Sequence, residues 1–123
     1  MSVLDNRLRQ HRWELDERRR FLAGLETLAA RLRRDAQRLH WEIEQETGAA
    51  GTEQKPGIAY PIFVAPLLER RKKLEGSIIE IEAQITEARE AVATAEQEVS
   101  LVEAAWTHRA TANGNGGRRL RRL

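Results

Sequence analysis

Apolar residues recur at alternating spacings of four and three through the first third of the chain. The series is Leu4, Leu8, His11, Leu15, Arg18, Leu22, Leu25, Ala29, Leu32, Ala36, Leu39 and Ile43, and only His11 and Arg18 are polar. This is the heptad of a coiled-coil helix, in which positions a and d are apolar. With Leu8 as a, the a positions are Leu8, Leu15, Leu22, Ala29, Ala36 and Ile43, and the d positions are Leu4, His11, Arg18, Leu25, Leu32 and Leu39. The second half repeats the pattern with Val64, Leu67, Arg71, Leu74, Ile78, Ile81, Ile85, Ala88, Val92, Ala95, Val99, Val102 and Trp106. With Val64 as a, β-branched residues take a at Ile78, Ile85, Val92 and Val99.

Between the two seams runs Gly48-Ala49-Ala50-Gly51-Thr52-Glu53-Gln54-Lys55-Pro56-Gly57-Ile58-Ala59-Tyr60-Pro61. Gly48 suits the left-handed residue that ends a helix, and Pro56-Gly57 is a turn pair. Pro61 or Pro66 fits the first turn of a following helix, where a missing N–H costs nothing. The expected elements are helix 1 at 3–47, a tip at 48–61 and helix 2 at 62–111. Asn113-Gly114-Asn115-Gly116-Gly117 then ends the helix and frees a flexible basic tail, 113–123. The fold class is therefore all-α: two long helices folded back as an antiparallel coiled-coil hairpin over residues 1–112.

The register can be tested on paper. If facing residue numbers add to 110, Leu15 meets Ala95, Leu22 meets Ala88, Ala29 meets Ile81, Ala36 meets Leu74 and Leu4 meets Trp106. In the four layers that contain an alanine large faces small, which fills space without voids. A sum of 117 sets Ala29 against Ala88 and leaves a hole, and a sum of 103 demands helix through Pro56, Gly57 and Pro61. At 1.5 Å per residue the preferred pairing makes a rod of roughly 65–70 Å. Gly24 and Gly76 fall at outward positions and cost about 1 kcal/mol each against Ala.

Composition agrees: charged residues make up 33% of the chain and aromatics 5%, the balance of long helices. The three prolines all fall between positions 56 and 66, which argues against an all-β fold. The absence of cysteine removes a disulfide framework, Cys-ligated zinc and a thiol nucleophile. The N-terminal residues have no apolar signal core, and the longest weakly polar run, 58–68, is far short of the ~20 residues of a membrane span. A soluble cytoplasmic protein is expected. The sequence pI is 9.5, yet the net charge is only +2. Residues 113–123 carry four arginines and no acid, so the basic character belongs largely to the tail.

No catalytic constellation is present, and an enzyme is not expected. His11, His40 and His108 have no His or Cys at i+3 or i+4, so no metal site is expected; His40 and Glu44 form an ordinary surface pair. No Gly-rich phosphate cradle exists, and no cofactor or small-molecule substrate is expected. Arg7, Arg9, Arg12, Arg18, Arg19 and Arg20 resemble a basic region, but Asp5, Glu14, Asp16 and Glu17 are interleaved and repel phosphates, so nucleic acid is not an expected partner.

Docking is the better expectation. Trp13 and Trp41 both fall at f, four heptads apart, on the side away from the seam. Exposed tryptophan is enriched at binding hot spots. Phe21 and Leu28 at g widen the apolar face of helix 1. Ile58, Tyr60, Ile62 and Phe63 cluster at the tip, more than a two-helix end can bury, and read as a docking point. At the other end Arg7, Arg9, Arg12 and Trp13 approach Trp106 and Arg109 of the returning helix.

An Arg-rich start to helix 1, the tip Gly57-Ile58-Ala59-Tyr60-Pro61 and then Glu69-Arg70-Arg71-Lys72-Lys73-Leu74 opening helix 2 together resemble the FliJ-like flagellar export proteins. The nearest likeness is to those of alphaproteobacteria, where Ala-Tyr-Pro at the tip is followed by Arg-Arg and then Leu. Here Ala59-Tyr60-Pro61 precedes Arg70-Arg71 and Leu74. Ile62-Phe63 are apolar where the family often has a polar residue, and Pro66 is an additional interruption. The resemblance implies a non-enzymatic stalk subunit of the flagellar type III export apparatus. The paired termini would enter a hexameric export ATPase, and the tip would reach an export-gate membrane protein. Export chaperones are further implied partners, and the implied location is the cytoplasm, peripheral to the inner face of the cytoplasmic membrane. The contrasting expectation is a coiled-coil chaperone, adaptor or scaffold unrelated to flagella; a DNA-binding coiled-coil dimer stands behind both.

Overall fold

A computed structural model describes the backbone of residues 2–51 and 62–122, with side chains for 2–48 and 62–112. Among the described residues there are two helices and no strand: α1, Val3–Gly51, of 49 residues, and α2, Val64–Arg122, of 59 residues. They pair antiparallel as a coiled-coil hairpin. No helix among the described residues is long and apolar enough to cross a membrane.

α1 begins with a capping box. The Asp5 backbone N–H donates to Ser2 Oγ at 3.1 Å, and the Ser2 N–H donates back to Asp5 Oδ2 at 3.1 Å. Two of the orphan donors of the first turn are thereby satisfied. α2 begins at Val64, and Pro66 stands in its first turn, where its lacking N–H removes no helix bond.

Both helices run past their expected ends. α1 continues through Gly48 to Gly51, and Gly48 does not have the left-handed φ of a helix-ending glycine. α2 continues from the expected boundary near 111 through Asn113–Gly117 to Arg122, so 113–122 is not a non-helical tail. Glycine weakens a helix but keeps its N–H and C=O, so the i→i−4 ladder can pass through it. No proline follows Pro66 to stop it. Of the expected tip, residues 52–61 lie outside the described residues.

The chain divides into two compact units, Met1–Ala23 with Glu87–Leu123, and Gly24–Thr86. In the first, Leu8, Leu15, Val92, Ala95, Val99 and Val102 form one buried cluster, with Leu4 and Leu22 packed against it. In the second, Leu25, Ala29, Leu39, Ile43, Val64, Ile81 and Ile85 are buried. Every one of these residues occupies an a or d position of the heptads read from the sequence.

The ion pairs fix the register. Arg12 Nη2 lies 3.1 Å from Glu103 Oε1 and Arg19 Nη2 lies 3.7 Å from Glu96 Oε1 in the first unit. In the second, Arg33 Nη2 lies 3.1 Å from Glu82 Oε1. All six residues are at e, and each pair of numbers adds to 115. In an antiparallel pair, opposed e residues stand one position beyond d on one helix and four beyond a on the other. Their sum therefore exceeds that of the facing a and d residues by five, which gives 110. A seam summing to 117 or 103 would bring different residues together.

Candidate functional site

In the first unit, Trp106 takes the a position that follows Val99 and leaves 43% of its surface open. Its indole N–H donates to Asp5 Oδ1 at 2.6 Å, while Ser2 Oγ donates to Asp5 Oδ2 at 2.8 Å. One carboxylate thus caps α1 and clasps α2. The Ser2 hydroxyl first, then the Trp106 indole and the Ser2 backbone, hold the Asp5 carboxyl below its usual 3.8.

Arginines surround this clasp. An open groove of about 310 Å³ is lined by Asp5, Leu8, Arg9, Arg12 and Trp106. A neighbouring one is lined by Ser2, Asp5, Trp106, Arg109 and Ala110. Of the residues expected at this end, the structure gathers Arg9, Arg12, Trp106 and Arg109. Arg12 is also tied to Glu103, so its guanidinium is already oriented along the flank of the seam. Arg7 and Trp13 do not line either groove; both are exposed, Trp13 at 63%. Trp13 at f therefore presents a large apolar ring to solvent, as its heptad position requires.

The second unit holds the other candidates. Trp41 is 60% exposed. Ile62 and Phe63, just ahead of α2, are exposed, Ile62 at 91%. Tyr60 lies outside the described residues. Arg70 shares an open groove with Asp35, Leu39, Lys73, Leu74 and Ser77. Arg71, at a, is half-buried, and its Nε lies 3.8 Å from Glu75 Oε1. Its aliphatic stem covers the seam while the charged head turns outward. Arg71 is thereby a seam residue, and Arg70 beside it is the more accessible of the pair.

Sequence reasoning missed Ser2 and Asp5. Their signal was present, a Ser followed three residues later by an acid just before an apolar run. What the sequence did not carry was the second use of Asp5, as acceptor for an indole from the far end of the chain.

These arrangements define a class: an antiparallel coiled-coil hairpin with solvent-facing tryptophans and, at one end of its first unit, an aromatic clasp lined by arginines. Compared with protein-family models, curated proteins and solved structures, the chain has no match.

Proposed function

We propose that this chain is a non-enzymatic stalk of a bacterial flagellar type III protein export apparatus, linking a hexameric export ATPase to an export-gate protein and assisting flagellum assembly. The observation that carries the reading is the sequence Ala59-Tyr60-Pro61, between the two helices in chain order, followed by Arg70-Arg71 and Leu74 on α2 of an antiparallel coiled-coil hairpin. The groove of Arg9, Arg12 and Trp106 supports the ATPase end. Planar guanidinium groups beside an indole suit a surface rich in carboxylates and carbonyls. The exposed Ile62 and Phe63 support an apolar contact at the gate. In this reading the protein works in the cytoplasm, against the inner face of the cytoplasmic membrane, and receives export chaperones along its length.

The test is reconstitution with a flagellar export ATPase and the soluble domain of its gate protein. Arg9→Glu with Trp13→Ala should lower stimulation of ATP hydrolysis and leave gate binding intact. Tyr60→Ala with Phe63→Ala should do the reverse. Circular dichroism must first show that both variants keep their helices. Absence of any binding by the wild-type chain, or loss of both contacts together in folded variants, refutes the two-contact stalk and favours a general chaperone or adaptor.

A further inference from the structure

His11 occupies a d position, where the seam calls for an apolar residue. Its ring is only 24% exposed, and Nδ1 is shut off from water without a hydrogen-bond partner. A buried polar atom left unmatched is uncommon, and an ion is one of the things that explains it. Two carboxylates converge on this nitrogen. Glu98 Oε2, from α2, is 3.5 Å away, and Glu14 Oε2, one turn on in α1, is 3.9 Å away. One ligand atom from each of the three residues lies within 4.8 Å of the others.

We propose that His11, Glu14 and Glu98 form a divalent transition-metal site, best suited to Zn²⁺, that staples α1 to α2. The distances favour a shared ion over direct bonds. Bonds of about 2.0–2.2 Å from zinc to imidazole nitrogen and carboxylate oxygen put the atoms of a tetrahedral site about 3.3–3.5 Å apart. The two distances from Nδ1 fall at or just beyond that edge, too long for hydrogen bonds but near the span of two ligands on one metal. Glu98 is half-exposed, so its side chain can swing in to complete the set. An imidazole with two carboxylates suits zinc, which lacks redox chemistry and accepts three protein ligands with a fourth position open. The two negative charges offset the ion's charge, so binding leaves no net excess in the seam. The site escapes a search along one helix because Glu98 comes from across the hairpin, 87 positions from His11. It does not depend on the export reading; a stalk, an adaptor or a chaperone would all be stapled by it.

The experiment is zinc titration of the full chain, followed by calorimetry and thermal melts. One equivalent should bind. A ligand selective for the folded state at 100-fold its Kd should raise the melting temperature by roughly 10 °C in a chain of this size. Co²⁺ should give the visible absorption of a four-coordinate site. His11→Leu places an apolar residue at d, so it should fold at least as well while losing the response. Glu98→Gln, on an exposed side chain, should weaken binding by at least about 100-fold with the helix content unchanged. His40→Ala with His108→Ala should leave the titration as in the wild type. Failure of Zn²⁺, Co²⁺ and Ni²⁺ to shift the melt overturns the site and leaves an imidazole between two carboxylates. So does a response that survives His11→Leu, or one that disappears with His40 and His108.

Discussion

Gly48→Ala separates two accounts of where α1 ends, because they predict opposite signs. If Gly48 were the left-handed residue closing the helix, a Cβ there would clash with backbone and cost about 1 kcal/mol or more. In the structure Gly48 lies inside α1, with a φ outside the left-handed region, and a Cβ built on it meets nothing within 4 Å. Alanine then gains the helix preference that glycine lacks, about 0.8–1.0 kcal/mol in an interior and less near an end. Gly48 stands three residues before the helix finishes at Gly51, so about 0.5 kcal/mol is expected. Gly76→Ala is the interior reference: its site is equally open, it lies well inside α2, and the full ~1 kcal/mol should appear. That corresponds to about 4 °C in melting temperature for a chain of this size. Urea unfolding followed by helical dichroism gives both values. The midpoint should move up while the slope stays constant, which marks a change in stability and not in the surface exposed. The two accounts of Gly48 differ by ~1.5 kcal/mol or more, well outside the error of such curves. A Gly48→Ala midpoint lower than wild type, with Gly76→Ala raised, would refute the continuous helix.

The clasp should show in acid. Asp5 has its carboxyl pKa depressed in the fold, so it adds stability that is complete above about 3.8 and is lost as pH falls through its lower folded value. Melting temperatures recorded from neutrality down to pH 2 should therefore fall more steeply for wild type than for Trp106→Phe or Ser2→Ala, the difference opening below about pH 4. Arg18→Leu puts an apolar residue at an exposed d position and should raise the melting temperature; if the arginine end is a docking surface, partner affinity should fall at the same time. Leu15→Cys with Ala95→Cys should form a disulfide within one chain, read by mass and by mobility on a non-reducing gel, and a product found only as a dimer would contradict the hairpin. Removing Arg33, Glu82 or both in a double-mutant cycle should return no more than about 0.5 kcal/mol of coupling, because both side chains are half-exposed.

The seam was legible because it rests on one repeated physical requirement. Each a or d side chain must meet its counterpart at a fixed interval, so Leu8, Leu15, Ala29, Ile81, Ala95 and Val102 declare themselves by spacing, and size matching sets the register. Helix ends are less legible, since a glycine such as Gly48 can either stop a helix or merely weaken it. The choice depends on the sum of ladder bonds beyond it, which no single residue records. Contacts joining distant positions were the hardest to foresee. The register sets Leu4 against Trp106 and His11 against Val99, but it does not say that the neighbouring Asp5 accepts from the indole or that Glu98 turns toward the imidazole. Both become neighbours only after the fold-back is set, and both had looked ordinary along one helix: an acid among arginines and a polar interruption of the heptad. Arg71 shows the converse. Its place at a fixed its burial from the start, whereas its membership of an Arg-Arg pair drew attention to it as a binding residue.

The flank of e positions has a further consequence. In all three bridges the arginine comes from α1 and the glutamate from α2. At these three positions α1 carries the cation and α2 the anion, whereas Glu26 and Arg89, also at e with numbers that add to 115, carry the reverse signs. Were the edge of α1 set against the same edge of another α1, Arg12, Arg19 and Arg33 would gather without their glutamates; two α2 edges would gather Glu82, Glu96 and Glu103. The charge pattern, mostly cationic on one edge and mostly anionic on the other with one reversal, thereby labels the two halves as distinct. Synthesised as separate peptides, they should pair with each other in preference to copies of themselves.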